Sequence, residues 1–317
     1  MKILLINPST EIGDIGLFPS GLAYVAKAVI KSGREVDIWD FNALRPSWDM
    51  IEKKIQQKFY DVIGIGGLIV VYSYVEKLIK LIKKYHPKTK IIVGDSLGAS
   101  VPDLVLTKLG ADCVCLAEGE HVILNFLEAL EQNKDLSLVK GIAYLKDNKY
   151  IENSACEFEK NLDNFGMPEI EKFPINLYLK QPIYTFAKKY DTPLVMPKIQ
   201  HSIIAHRGCP YPCNFCYQIF GRNIRYRSVK NIIDEVIYLY EKHGVRFVIM
   251  GIDLFLANKN FVYEFCDEYI KLGLHNKVKW SSAGRANLMD KDLITRIKEA
   301  GCILLGYGFE SASPKIL

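Results

Sequence analysis

The segment His206-Arg-Gly-Cys209-Pro-Tyr-Pro-Cys213-Asn-Phe-Cys216-Tyr217 joins an apolar strand, Ser202–Arg207, to an amphipathic helix over 229–243. The alternation continues with a strand at Arg246–Met250, a helix over 259–272 and a strand at Lys279–Ala283. A helix over 291–300 and a strand at Ile303–Tyr307 complete it. Strands and helices in this rhythm predict a β/α barrel, whose chemistry sits at the carboxyl ends of its strands. The cysteine loop follows the first strand, Gly251-Ile252-Asp253 ends the second, Arg285 the third and Phe309-Glu310-Ser311 the fourth. Four separate segments therefore converge on one mouth. Asp253 and Glu310 are candidates for function because each follows an apolar strand beside the cysteine loop.

The C-x3-C-x2-C spacing supplies three thiolates from one short loop. A cubane iron–sulfur cluster held by cysteine alone takes four. Three leave one iron with an open position, much as an open position separates catalytic from structural zinc. Two other readings stand beside this one. A structural zinc site completed by His206 or His201 would need a second, well-separated half, and no second C-x2-C occurs. A disulfide framework suits a short secreted chain, whereas this one has 317 residues and eight cysteines, with no secretory start. Cys113, Cys115, Cys266 and Cys302 fall in predicted strands or helices and read as small core residues.

Residues 1–131 alternate short apolar runs with amphipathic helices, the pattern of a parallel sheet covered on both faces. Strands are predicted at Lys2–Asn7, Glu35–Asp40, Asp61–Gly66, Lys90–Gly94 and Asp112–Leu116, with helices over 19–32, 46–58, 72–85, 101–109 and 120–131. This predicts a Rossmann-like or flavodoxin-like three-layer sandwich, with ligands beyond the carboxyl ends of the strands. Those ends carry Asn7-Pro8-Ser9-Thr10, Gly64-Ile65-Gly66-Gly67, Gly94-Asp95-Ser96 and Glu118-Gly119-Glu120. The glycines allow close backbone approach to a ligand, or they only shape tight turns. Gly64-x-Gly66-Gly67 lacks the G-x-G-x-x-G order and follows the third strand, which argues against a dinucleotide.

Residues 132–200 read as a connector with a hairpin around Asp147-Asn148. Residues 201–317 form the second domain. A net charge of +5, with Lys and Arg spread along helices, argues against a nucleic-acid partner. The longest nearly uncharged run, Val62–Val75, is too short to cross a bilayer. A cytoplasmic location is the expectation. Ser313-Pro314 reads as a helix start three residues before the last residue, so a truncated barrel is expected.

Arg207-Gly-Cys209-Pro-Tyr-Pro-Cys213-Asn-Phe-Cys216 resembles the cluster loop of radical S-adenosylmethionine enzymes, with the usual aromatic, Phe215, before the last cysteine. The stretch Ile249–Leu317 is similar to the cobalamin-binding branch of that superfamily, through Asp253-Leu-Phe255, Trp280 to Arg285, Ile297-Lys-Glu-Ala-Gly-Cys302 and Gly308-Phe-Glu-Ser311. Gly21-Leu-Ala-Tyr-Val-Ala26 and the run from Gly110-Ala-Asp112 to Glu118-Gly119-Glu120 look like that branch's cobalamin-binding domain. The resemblance covers nearly the whole chain.

It implies that Cys209, Cys213 and Cys216 ligate a [4Fe-4S] cluster and that S-adenosylmethionine chelates the fourth iron. Reductive cleavage would then give a 5′-deoxyadenosyl radical. By the same resemblance Asp253 accepts from the cofactor's amino group and Arg285 pairs its carboxylate. Glu310 approaches the ribose and Phe215 borders the adenine, with Gly251 and Ser311 in the same site. Cobalamin would lie at Ser9, Gly66, Gly67, Gly94, Asp95, Ser96, Glu118 and Gly119. The chain departs from its relatives in having no Asp-x-His-x-x-Gly, Gly94-Asp95-Ser96 where Gly-Gly-Pro is common, and Gly66 where serine is common.

The implied function is a cobalamin-dependent methyltransferase acting on an unreactive carbon of a small molecule or peptide, supplied with electrons by a flavodoxin or ferredoxin. One alternative is a radical cyclase, oxidoreductase or rearrangement enzyme whose first domain no longer binds cobalamin. From another class comes a non-catalytic iron–sulfur or zinc protein.

Overall fold

The computed structural model describes residues 1–11, 13, 15–180, 197, 199–251, 254–313 and 315. The chain divides into two units, Met1–Ile15 with Pro19–Glu159 and Met167–Ile175, and Gly16–Phe18 with Lys160–Gly166 and Asn176–Leu317.

In the first unit β1 (Ile3–Asn7), β2 (Val36–Asp40), β3 (Val62–Gly66), β4 (Lys90–Gly94) and β5 (Cys113–Cys115) run parallel. Their side chains alternate between two cores, as the period of two in a strand requires. Leu4, Ile6, Ile63, Ile65 and Val93 pack with Ile51, Ile55, Val75 and Leu78 from the helices Trp48–Gln57 and Tyr72–Tyr85. Ile3, Leu5, Val62, Ile92 and Cys113 pack with Ala26, Val29, Val122 and Phe126 from the helices Ser20–Lys31 and Gly119–Glu131. Burial on both faces explains why these strands read as continuous apolar runs.

Two strands extend the sheet beyond the parallel five. β6 (Ile142–Lys146) pairs antiparallel with β5, and β7 (Lys149–Glu152) with β6, in the order β2-β1-β3-β4-β5-β6-β7. The turn residues Asp147 and Asn148 both have positive φ, +52° and +60°, the geometry that suits a two-residue hairpin. Ile142, Ala143 and Tyr144 are buried against the sheet, which is why the hairpin joins it instead of standing in a connector. The helix expected over 101–109 is instead a single helical turn, Pro102–Leu104, followed by a π-type turn at Val105–Leu109.

The second unit holds an all-parallel sheet of β8 (Gln200–Ile203), β11 (Phe247–Met250), β12 (Lys279–Gly284) and β13 (Cys302–Tyr307), ordered β13-β12-β11-β8. This is part of a β/α barrel. Helices Val229–His243, Lys259–Lys271 and Lys291–Glu299 connect the strands, each opened by a side-chain cap from Ser228, Asn258 or Asp290. Phe255, Phe265 and Trp280 meet edge to face beneath them.

The strand expected over Ser202–Arg207 is divided. After Ile203 the chain leaves the sheet, and β9 (His206–Arg207) pairs antiparallel with β10 (Arg225–Tyr226). The cause is Arg227. Its backbone N–H donates to the Ala205 carbonyl at 3.0 Å, and its Nη1 donates to the Ile204 carbonyl at 3.1 Å, so those two carbonyls leave the ladder. No helix among the described residues is long and apolar enough to cross a membrane.

Candidate functional site

All three cysteines lie on the loop that joins β9 to β10. Its neck is closed by two backbone features. The Cys209 N–H donates to the Gly221 carbonyl at 3.2 Å. Gly208, at φ +85°, crosses the Asn223 carbonyl so closely that a Cβ would collide with it. Further out, the Cys216 N–H donates to the Cys213 carbonyl at 3.2 Å, and Gln218 Nε2 donates to the Tyr211 carbonyl at 2.5 Å. Cys209 and Cys213 are half-buried and Cys216 is exposed, all three free of disulfides.

Among the described residues no group of three or more His, Cys, Asp or Glu side chains is already gathered as a metal site. The donor set nevertheless fits an iron–sulfur cluster, because soft thiols suit iron–sulfur sites and these three share one loop with solvent access. Four of the other five cysteines contrast with them. Burial pushes the thiols of Cys115, Cys266 and Cys302 up to about 12 and that of Cys113 well above its ordinary value, which makes them poor ligands.

The other strand ends of the second unit supply the remaining candidates. β8, β11, β12 and β13 are parallel, so the segments following them leave the same edge of the sheet. Arg285 directly follows β12; it is exposed, its Nη1 stands 3.7 Å from Cys213 Sγ, and its guanidinium lies 4.0 Å from the Tyr211 ring. The structure thus brings Arg285 to the cysteine loop. Phe215 is 67% exposed on that loop. Glu310 is exposed at φ +60°, and the Ser311 hydroxyl accepts from the Ser313 N–H at 3.0 Å. Asp253 lies outside the described residues.

Gly251 has an internal reason to be glycine. It is buried at φ +67°, and a Cβ there would sit 2.9 Å from Cε1 and 3.1 Å from Nδ1 of His206. His206 itself is buried, and burial pushes its pKa down to about 4, which keeps the ring neutral. Its Nε2 accepts from the Leu254 N–H at 3.0 Å. In sequence this histidine stood out only as an alternative zinc ligand. Its partner Leu254, 48 positions on, was not legible.

In the first unit the eight candidates separate into two groups. Four have work inside the protein. Ser9 is buried, and its hydroxyl accepts from the Glu11 N–H at 3.0 Å. Glu118 is buried and accepts from the Glu159 N–H at 2.9 Å. A Cβ on Gly67 would meet Val71 at 2.7 Å, and one on Gly119 would meet Val25 at 2.9 Å. The other four cluster at the carboxyl ends of β3 and β4. Gly66 and Gly94 are direct register partners. A Cβ on either would meet nothing nearer than 3.4 Å, and neither has a left-handed φ, so nothing in the chain itself requires glycine there. Asp95 is exposed at φ +62°, its carboxylate accepting from the Ser96 N–H at 2.6 Å, and the Ser96 hydroxyl accepts from the Ile69 N–H at 3.1 Å. A bare shelf of two strand ends, bounded by Asp95 and Ser96, is a surface a flat ligand could approach closely.

Two family models match separate parts of the chain. The family model described as the B12 binding domain matches residues 16–127, and that of the radical SAM superfamily matches residues 203–317. Uncharacterized methyltransferase PH0819 of Pyrococcus horikoshii is 26% identical over 326 residues, covering 100% of this chain and 67% of the relative. The anaerobic magnesium-protoporphyrin IX monomethyl ester cyclase of Rubrivivax gelatinosus is 27% identical over 334 residues, covering 99% of this chain and 56% of the relative. The chain thus spans between about half and two thirds of the length of these two proteins. Among solved structures, the radical S-adenosylmethionine methyltransferase TsrM from Kitasatospora setae, with cobalamin and a [4Fe-4S] cluster bound, aligns with a TM-score of 0.77 at 14% identity. The alignment covers 99% of this chain and 60% of TsrM. The cobalamin-dependent S-adenosylmethionine radical enzyme OxsB aligns with a TM-score of 0.81 at 17% identity, over 99% of this chain and 44% of OxsB. At such identities these structures establish the fold. With one match over β2–β5 and the other over β9–β13, the chain carries a B12-binding domain followed by a radical SAM domain, an arrangement that matches cobalamin-binding radical SAM enzymes.

Proposed function

We propose that this protein is a cobalamin-dependent radical S-adenosylmethionine methyltransferase acting on an unreactive carbon. The observation that carries the reading is the set of three disulfide-free thiols on one neck-closed loop, one fewer than a thiolate-closed cubane takes. Cys209, Cys213 and Cys216 would hold a [4Fe-4S] cluster, leaving one iron for S-adenosylmethionine, and Arg285 beside Cys213 would meet the ligand's carboxylate in the paired geometry arginine favours. Phe215, Gly251, Asp253, Glu310 and Ser311 would complete that site. When bound, these groups supply electron transfer and methyl donation, and the protein supplies binding and orientation. The Gly66–Gly94 shelf with Asp95 and Ser96 supports a corrin site in the first unit.

Methyl transfer is favoured by relatives such as the cytidylyl-2-hydroxyethylphosphonate methyltransferase of Streptomyces wedmorensis, 26% identical over 358 residues. The cyclase relatives favour a second reading, radical chemistry without methyl transfer. A small molecule or peptide substrate and an electron donor such as a flavodoxin or ferredoxin belong to the proposal. The test is anaerobic reconstitution followed by iron, sulfide and corrinoid analysis, with electron paramagnetic resonance of the reduced cluster. Three cysteine-bound irons in a cubane, a spectrum that S-adenosylmethionine perturbs, and retained corrinoid are expected. A lone zinc, or a spectrum indifferent to S-adenosylmethionine, would defeat the enzyme reading. Iron without corrinoid would leave only the second.

A further inference from the structure

His206 is buried, with 4% of its surface exposed, and one of its two ring nitrogens has a partner. Because Nε2 accepts from the Leu254 N–H, the ring proton of the neutral imidazole is assigned to Nδ1. That Nδ1–H has no hydrogen-bond partner among the described residues. A buried donor without an acceptor is destabilising, a cost that an apolar side chain of similar shape would avoid. The donor edge of the ring lies against Gly251, whose missing side chain makes room for it. The ring also neighbours Tyr226, its partner across the β9–β10 ribbon that carries the cysteine loop, with ring centroids 5.4 Å apart. His206 therefore stands where the cysteine loop and the segment after β11 meet, with a donor held ready.

We propose that His206 joins these two segments and binds their common ligand, its Nε2 anchoring the Leu254 N–H and its Nδ1–H donating to an anionic acceptor that the ligand brings. The acceptor is a sulfur of the cluster or the carboxylate of S-adenosylmethionine. Both are anionic acceptors, and the test separates them. The inference rests on the cluster reading above, which the iron and sulfide content of the unaltered protein checks independently.

Two substitutions divide the roles of the ring. His206→Gln keeps an acceptor near Nε2 and removes the Nδ1 donor, whereas His206→Asn keeps a donor near Nδ1 and removes the anchor for Leu254. With the chain reconstituted anaerobically, His206→Gln is expected to load iron as the unaltered protein does. If the acceptor is a sulfur, its midpoint potential without S-adenosylmethionine shifts to more negative values, because hydrogen bonds to cluster sulfurs help set that potential. If the acceptor is the carboxylate, the potential stays and S-adenosylmethionine binding, titrated by paramagnetic resonance, weakens about tenfold. His206→Asn is expected to preserve whichever property His206→Gln loses.

Unaltered potential and unaltered affinity in His206→Gln overturn the proposal. So does loss of iron from both variants with circular dichroism preserved, since the ring then only holds the loop. If either variant misfolds, the unaltered protein with ¹⁵N-histidine decides. A ring-nitrogen coupling in pulsed resonance that is absent on reduction, and still absent with S-adenosylmethionine, rejects the donor role; its appearance in either state supports it.

Discussion

Arg227 and Glu235 form an ion pair at 2.5 Å with both side chains only 1% exposed. The same guanidinium donates to the Ile204 carbonyl and, through Nε, to Asn231 Oδ1 at 2.6 Å, so it ties the departure of β8 from its sheet to the helix Val229–His243. Removing one charge strands the other in a low-dielectric interior. Glu235→Ala is expected to cost about 3–5 kcal/mol in equilibrium urea denaturation. The double replacement Arg227→Met with Glu235→Leu should cost less than Glu235→Ala, because no charge is then left unpaired.

Alanine at Cys209, Cys213 or Cys216 is expected to abolish stable cluster loading, read as iron and sulfide per chain after anaerobic reconstitution. Cys302→Ala is the control. Its thiol is buried with a pKa pushed up to about 12, so iron content should match the unaltered protein even though stability falls by about 1 kcal/mol. Equal iron loss in the control would remove the distinction between loop and core cysteines.

The glycines of the first unit give opposite expectations side by side. Gly66→Ala and Gly94→Ala should leave stability within about 0.5 kcal/mol, since an added Cβ makes only ordinary contacts, while corrinoid retention falls. Gly67→Ala should instead destabilise by about 1–3 kcal/mol, because the new methyl would stand 2.7 Å from Val71 and 3.0 Å from Pro8. Thermal denaturation combined with corrinoid absorbance tests both halves.

His201 sets a pH dependence that has nothing to do with the site. It is buried on β8 with neither ring nitrogen hydrogen-bonded among the described residues, and burial lowers its pKa to about 4. The unfolded chain, with an ordinary value near 6.5, binds the proton first. The contribution of His201 to stability is therefore full above about pH 6.5, is lost as the pH falls towards 4, and changes no further below. His201→Leu should reduce the loss over that window by roughly 2–3 kcal/mol at pH 4 and leave the similar share of His206, whose pKa burial also lowers to about 4, in denaturation curves measured from pH 7 to 4.

The strand ends were legible because buried parallel strands leave unbroken apolar runs. Lys90–Gly94 agrees residue for residue, and β1, β2 and β3 each begin one residue later than expected. What escaped the sequence was pairing decided at a distance. Nothing near Ile142 says that β5 needs an antiparallel neighbour, and nothing in Ser202–Arg207 announces that Arg227 will take two of its carbonyls. In the site, the cysteine spacing could be read directly. The stacking of Arg285 on Tyr211 and the fit of His206 under Gly251 depend on three-dimensional neighbours with no local signature.

The shelf at Gly66 and Gly94 has a thermodynamic consequence. With no side chain there, it has no rotamers to freeze, and the strand backbone beneath was immobilised when the sheet folded. Docking of a planar ligand on that floor would therefore carry little ordering entropy, so that modest dispersion forces spread over its broad face would go further towards tight association.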